Sequence, residues 1–276
     1  MSVSVIIAGT TVKAAQAALP LDPLENRILL CHALGLTRVG LITQSHRAVT
    51  PAEAQALTAL VARRLAGEPI AYIVGRREFY GLDFQVTDAV LIPRPDTELL
   101  VELALERLAP NGSVLDMGTG SGAIAVAIAH TRPDARVSAL DASERALAVA
   151  RANATVHGVA INFLHSDWYG ALAGQRFDLI AANPPYIASG DVHLLEGDLR
   201  FEPVSALTDH QDGLSALRTI VAGACAHLAP GGWLLLEHGY DQAAQVRALL
   251  AAHGYGKVQS WRDLSSIERV SGGQRP

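Results

Sequence analysis

Three clusters of residues carry types that do chemistry at strand ends. The first is Val114-Leu115-Asp116-Met117-Gly118-Thr119-Gly120-Ser121-Gly122, an apolar strand running into a glycine-rich turn. Glycine lets that backbone take positive φ and lie in contact with a ligand. The spacing differs from the G-x-G-x-x-G dinucleotide fingerprint, because the third glycine follows the second after one residue. No Lys follows the turn, which excludes a phosphate-gripping P-loop. Nineteen residues past Gly122, Asp141 ends the next apolar run, where a carboxylate could accept both hydroxyls of a ribose. The second cluster is Ser166-Asp167-Trp168, an acid and an aromatic suited to an adenine amino group and its ring. The third is Asn183-Pro184-Pro185-Tyr186, directly after Phe177-Asp178-Leu179-Ile180-Ala181-Ala182. Two prolines fix the backbone and remove two donors. Carbonyl oxygens around Pro184 then face the crevice above the strand ends, where open α/β sheets bind ligands. With the Asn183 side-chain oxygen and the Tyr186 ring, they suit a planar NH₂ group. The purely structural readings are a tight strand–helix turn, a rim tryptophan and a Pro-Pro loop end with a packing tyrosine.

The elements around these clusters follow from periodicity. Helices fill the first 75 residues. One opens at Asp22-Pro23, carries Leu24, Ile28, Cys31 and Leu34 at helical spacing, and stops at Gly35. Another opens at Thr50-Pro51-Ala52-Glu53, a capping box with proline in the first turn, and runs through Leu57, Leu60, Val61 and Leu65 to Gly67. From Glu78 to Val86 the alternation around Gly81 predicts a β-hairpin, which with Ile92-Pro93-Arg94-Pro95-Asp96-Thr97-Glu98 reads as a hinge before a helix over 99–108. Strands are then expected at Ser113–Met117, Val137–Asp141, Asn162–His165, Phe177–Ala182 and Trp233–Glu237, with helices at Ala123–His130 and Glu144–His157 between them. Such alternation means a mainly parallel sheet covered on both faces. The expected parts are a helical domain over 1–75, a hairpin and linker over 76–98, and an α/β domain over 99–276.

Composition narrows the classes. The chain has 276 residues, half of them hydrophobic and 18% charged, enough for a packed core. Its net charge of −5 argues against a broad grip on nucleic acid, which rests on Lys and Arg neutralising phosphates. Residues 1–80 carry +3 and residues 81–276 carry −8, so the two parts invite different tasks. Cys31 and Cys225 are too few for a disulfide framework or a thiolate metal site, and no metal is expected. The stretch from Met1 to Ala8 lacks a basic leader, and no apolar run reaches the ~20 residues that span a bilayer, so a cytoplasmic location is the default.

Together, Asp116 to Gly122, Asp141 and Asn183-Pro184-Pro185-Tyr186 resemble the class I S-adenosylmethionine-dependent methyltransferases that act on planar amino nitrogens. The flanks Glu78-Phe79-Tyr80-Gly81, Ile92 to Glu98, Asp198-Leu199-Arg200-Phe201-Glu202-Pro203 and Leu236-Glu237-His238-Gly239 are similar to the peptide chain release factor glutamine methyltransferases, the PrmC/HemK family. The likeness spans nearly the whole chain and departs from Ser271 onward. It implies a Rossmann-like class I methyltransferase sheet and a small N-terminal helical bundle that recognises the substrate, joined by the hairpin. It also implies methyl transfer from S-adenosylmethionine to the side-chain nitrogen of the glutamine in the Gly-Gly-Gln motif of class 1 release factors. By the same resemblance Gly118, Thr119, Gly120, Ser121, Gly122, Asp141, Asp167, Trp168 and Asn183 hold the cofactor. Asn183, Pro184, Pro185 and Tyr186 hold the glutamine, with Asn183, Pro184 and Tyr186 catalytic. A monomer without direct nucleic-acid or membrane contact is expected. Arg200 and Glu202 are expected to shape the wall beside the substrate loop. His238 is read as more structural than catalytic.

Two rivals and one oddity complete the reading. An amino methyltransferase acting on adenine N6 or guanine N2 of nucleic acid needs a basic, groove-facing module to reach its base, and no Lys- or Arg-rich insertion interrupts the acidic part. A non-catalytic cofactor-binding adaptor has no need of Asn183 to Tyr186. The chain ends Ser271-Gly272-Gly273-Gln274-Arg275-Pro276, so Gln274 repeats the Gly-Gly-Gln context. A disordered terminus with coincidental residues is expected there, against a flexible tail entering the site.

Overall fold

The computed structural model describes residues 7–195 and 197–276. Most of the stretch from Met1 to Ala8, whose sequence lacks a basic leader, lies outside them. The chain divides into two compact units, one through Gly75 and one from Arg76 to Pro276.

In the first unit, helices run over Val12–Ala18, Pro23–Leu34, Arg38–Thr43, Pro51–Leu65 and Ile70–Val74. Asp22 accepts from the Leu24 amide at 2.8 Å to open the second, and Gly35 closes it in the left-handed region at φ 62°. Thr50 and Glu53 complete the capping box in both directions, and Glu53 also pairs with both terminal nitrogens of Arg47, at 2.8 and 3.1 Å. Leu29, Leu30, Leu57 and Val61 form the centre of this unit's own core.

The second unit opens with the hairpin β1 (Arg76–Phe79) and β2 (Leu82–Gln85). Rather than hanging free as a hinge, the hairpin is built into this unit. Phe79 and Phe84 are buried in its core. Asn153, fully buried, takes the Gln85 amide on Oδ1 at 2.7 Å and donates to the carbonyls of Gln85 and Ser121. One amide thus ties the hairpin to the glycine turn.

The main sheet contains β3 (Ser113–Met117), β4 (Arg136–Asp141), β5 (Asn162–His165), β6 (Phe177–Ala182), β7 (Leu228–Glu237), β8 (Gly256–Arg262) and β9 (Glu268–Gln274). Its order is β5-β4-β3-β6-β7-β9-β8. The first five strands are parallel, and β9 and β8 add an antiparallel edge. Side chains alternate between two covered faces. Val114, Leu179 and Leu235 belong to one core, and Leu115, Ile180 and Leu236 to the other.

The C-terminus corrects the expectation of a loose tail. Gly272 and Gly273 lie buried in β9, and Gln274 pairs across to Trp233 while its side-chain nitrogen donates to the Gly231 carbonyl at 2.8 Å. A Cβ on Gly272 would stand 2.6 Å from the Leu234 oxygen, and one on Gly273 2.8 Å from Tyr255 Cβ. The glycines are there because neighbouring groups approach too closely for any side chain.

Candidate active site

The strand order reverses beside β3, since the chain goes from β3 to β4 on one side and later returns to β6 on the other. Ligands of doubly wound sheets bind at such a switch point. Met117 pairs with Ala182, and Ala182 with Leu236. The next residues along, Gly118, Asn183 and Glu237, therefore follow three adjacent strand ends. A pocket of about 540 Å³ opens there.

Backbone geometry forms its floor. Gly118, Gly120 and Gly122 all have positive φ, at 76°, 54° and 82°. The amides of Gly118 and Thr119 both donate to the Leu140 carbonyl at 2.9 Å, which fixes the turn against β4. A Cβ at Gly118 or Gly120 would meet no protein atom within 4 Å, so the bare backbone faces open space. Gly122 differs: a Cβ there would come within 3.1 Å of Ala150 Cβ. It lies against the helix Glu144–Val156 and outside the pocket lining, while Gly118 to Ser121 line it.

Beneath the turn lies Asp116, fully buried, whose Oδ2 accepts from the Thr119 hydroxyl at 2.6 Å and the Ala125 amide at 3.2 Å. Burial pushes its carboxyl up to about 7, against the pull of those two donors. Asp141 ends β4 at the rim. Its Oδ2 accepts from the Gly120 amide at 2.9 Å and its Oδ1 from the Ser143 amide at 2.8 Å. Burial raises this carboxyl too, and the same amides oppose the shift. Each oxygen keeps a lone pair for a further donor.

Asp167 and Trp168 line the pocket after β5. Trp168 sits at φ 45°, a left-handed backbone that turns the chain, and the Ser166 hydroxyl donates to its carbonyl at 2.9 Å. Asn183, Pro184 and Pro185 line the opposite wall. The Asn183 Nδ2 donates to the Thr97 hydroxyl at 3.2 Å, and its Oδ1 takes no donor among the described residues. Tyr186 lies outside the lining. Its hydroxyl donates to Glu237 Oε1 at 3.4 Å, its carbonyl accepts from Gln242 at 3.0 Å, and burial pushes the phenol upward.

Several wall residues had no catalytic signature in the sequence. Phe79, Val90, Pro93, Arg94 and Thr97 come from the hairpin and the segment after it. Glu202, whose side chain is fully buried, pairs with Arg94 and accepts from the Ile92 amide at 3.0 Å. It therefore holds that wall from behind. Arg200 is exposed over the Phe201 ring and does not line the pocket. His238 is fully buried between Gly239 and Ser271, and burial lowers its pKa. It joins β7 to β9 and stays clear of the pocket.

Two family models match, a methyltransferase small domain over residues 95–196 and the PrmC N-terminal domain over residues 10–75. The chain is 59% identical to a release factor glutamine methyltransferase of Burkholderia pseudomallei, covering 94% of each chain. The chain belongs to the release factor glutamine methyltransferase family. A second relative of that name, from Bordetella pertussis, is 55% identical over 92% of this chain and 95% of its own. A solved methyltransferase of Pyrococcus furiosus shares the fold at 19% identity and a TM-score of 0.56, covering 78% of this chain and 96% of that one. Family membership brings S-adenosylmethionine as the methyl donor. The pocket fits it, with open glycine backbone, a rim carboxylate and an aromatic wall in a volume ordinary for a cofactor. Among the described residues, no group of three or more His, Cys, Asp or Glu could hold a metal, and no helix is long and apolar enough to cross a membrane.

Proposed function

We infer that this chain methylates the side-chain nitrogen (N5) of a glutamine in class 1 peptide chain release factors, in their Gly-Gly-Gln motif. The orientation of Asn183 carries the reading. With one Nδ2 proton directed to Thr97, the amide's oxygen takes no donor from the described residues, and it can accept from an NH₂ group. Pro184 adds a carbonyl and, like Pro185, has no N–H to compete for the same acceptors.

S-adenosylmethionine supplies an activated methyl group on a sulfonium. Gly118 to Ser121, Asp141, Asp167 and Trp168 would hold it, with Gly122 shaping the turn. An amide nitrogen is a poor nucleophile because its lone pair is delocalised into the carbonyl. Accepting both of its N–H bonds, at Asn183 Oδ1 and the Pro184 carbonyl, aims the nitrogen and stabilises positive charge as it develops there. Tyr186 serves from behind this wall through Glu237 and Gln242, a supporting role rather than ring contact with the target. We read the enzyme as a cytoplasmic monomer that grips its protein substrate without nucleic acid, and the excess of acidic over basic residues in 81–276 supports the last point.

Purified release factor incubated with radiolabelled S-adenosylmethionine tests the assignment. Label should appear on the release factor and not on duplex DNA or ribosomal RNA. Asn183→Ala should lower transfer by at least about a hundredfold, as expected when a transition-state acceptor is removed. Labelling of nucleic acid, or full activity in that variant, overturns the reading.

A further inference from the structure

We propose that Gln242 is a positioning residue for methyl transfer: it clamps the Tyr186 carbonyl and thereby fixes the aim of the Asn183 and Pro184 acceptors. The inference rests on the reading of those two groups as acceptors for the target amide. Gln242 sits at the start of the helix Ala243–Ala252, just past the end of β7, and is 8% exposed. Its side-chain amide joins three loops. Oε1 accepts from the Gly239 amide at 2.8 Å, and Nε2 donates to the carbonyls of Tyr186 at 3.0 Å and Gly213 at 3.2 Å. One backbone donor and two backbone acceptors leave the amide a single orientation. Both of its protons are directed within the protein, so Gln242 acts on a substrate only through these loops.

The clamp bears on the acceptors because the chain between them is stiff. Upstream, Ala182 is paired inside the sheet with Met117 on one side and Leu236 on the other. The rings of Pro184 and Pro185 fix their own φ. Asn183 and Pro184 each precede a proline, which confines both to extended ψ. Few torsions therefore remain between the end of β6 and the Tyr186 carbonyl. A short span gripped at both ends holds what it carries, here the Asn183 side chain and the Pro184 carbonyl. Beyond it, the Ile187 amide donates to the Leu207 carbonyl at 2.9 Å and the Ser189 amide to the Gln211 carbonyl at 3.0 Å.

The loop on the other side of the clamp is built for close approach. Gly213 has φ 78°, and a Cβ there would stand 2.4 Å from the Tyr186 oxygen and 3.0 Å from Gln242 Nε2. Glycine lets both carbonyls reach one side-chain nitrogen. Asp209 holds this loop in shape, since its carboxylate accepts from the amides of Gln211 at 2.8 Å, Gly213 at 3.0 Å and Ser215 at 2.7 Å.

Full-length protein, S-adenosylmethionine and saturating purified release factor provide the test. The readout is the single-turnover rate of methyl transfer per cofactor site titrated by calorimetry, which removes any loss of folded protein. Gln242→Met, similar in length but unable to hold either carbonyl, should lower that rate by about tenfold or more, with S-adenosylmethionine affinity within about twofold. Gln242→Glu keeps the Gly239 bond but, when ionised, has no proton for the two carbonyls, and should fall as far. Gly272→Ala, which crowds β9 instead, should lose stability and keep the wild-type rate. If Gln242→Met does not fold, Gln242→Glu decides. A wild-type rate in a folded Gln242 variant, or an equal loss in Gly272→Ala, overturns the proposal while Asn183→Ala remains inactive. So does a loss of S-adenosylmethionine affinity in step with the rate. Full activity in Asn183→Ala overturns it together with the function on which it rests.

Discussion

Asp141 shows how one side chain here does two tasks at once. Its two oxygens hold the Gly120 and Ser143 amides, which keeps the glycine turn shaped, while the residue lines the pocket in which we propose it takes the ribose hydroxyls. Asp141→Asn would replace one acceptor with a donor and set it against an amide proton. We expect a cost of about 1.4–2.8 kcal/mol, seen as ~10- to 100-fold weaker S-adenosylmethionine binding by calorimetry. The melting temperature should fall only modestly, since the turn is also pinned to Leu140 by two amides. Asn183 is similar in kind. Its residue type suggests an acceptor, but its direction depends on Thr97, which is 86 positions away in sequence.

At the scale of elements, β9 is the instructive case. Ser271-Gly272-Gly273-Gln274 has no apolar alternation, and two glycines weaken a strand's intrinsic preference. It is nevertheless a buried strand between β7 and β8, because a narrow slot there rewards small residues. Gln274 is held by a side-chain bond to Gly231, so its likeness to a substrate glutamine has no bearing on the active site. Gly272→Ala should overpack that slot and destabilise by roughly 1–3 kcal/mol in chemical denaturation. Unchanged stability would mean that the sheet edge yields to admit a methyl group. By contrast, the helix starting at Pro51 obeys its local signals throughout, since Thr50 and Glu53 are bonded as their spacing dictates.

The whole molecule has two separate hydrophobic interiors. The core of the first unit runs from Val12 to Ile73, and the two cores flanking the sheet draw only on residues from Phe79 onward. Each unit thus has the buried apolar surface to fold without the other. The charge difference, +3 over residues 1–80 and −8 over 81–276, follows nearly the same division. A chain lacking residues 1–75 should bind S-adenosylmethionine within about threefold of the full chain, because every pocket residue lies beyond Gly75. Its methylation of a release factor should fall much further. Equal loss of both, measured by calorimetry and labelled transfer, would remove the division of labour between the units.

The sequence by itself determined the features whose cause is local. Capping boxes, glycine stops, alternating strands and the Asn183-Pro184-Pro185-Tyr186 strand end need no distant partner to be read. Gly118 and Gly120 belong here too, because a glycine-rich turn after an apolar strand already marks backbone that can approach a ligand. Tertiary structure alone decided the rest. It set Gly122 against Ala150, gave the Tyr186 hydroxyl to Glu237, paired Glu202 with Arg94, and turned a polar C-terminus into a sheet strand. In each of these the deciding term is a contact between residues far apart in the chain: a methyl against a glycine, a carboxyl against a hydroxyl, a strand against a strand. Local propensity and spacing carry no record of such contacts, and burial sets their strength only after the chain has closed around them.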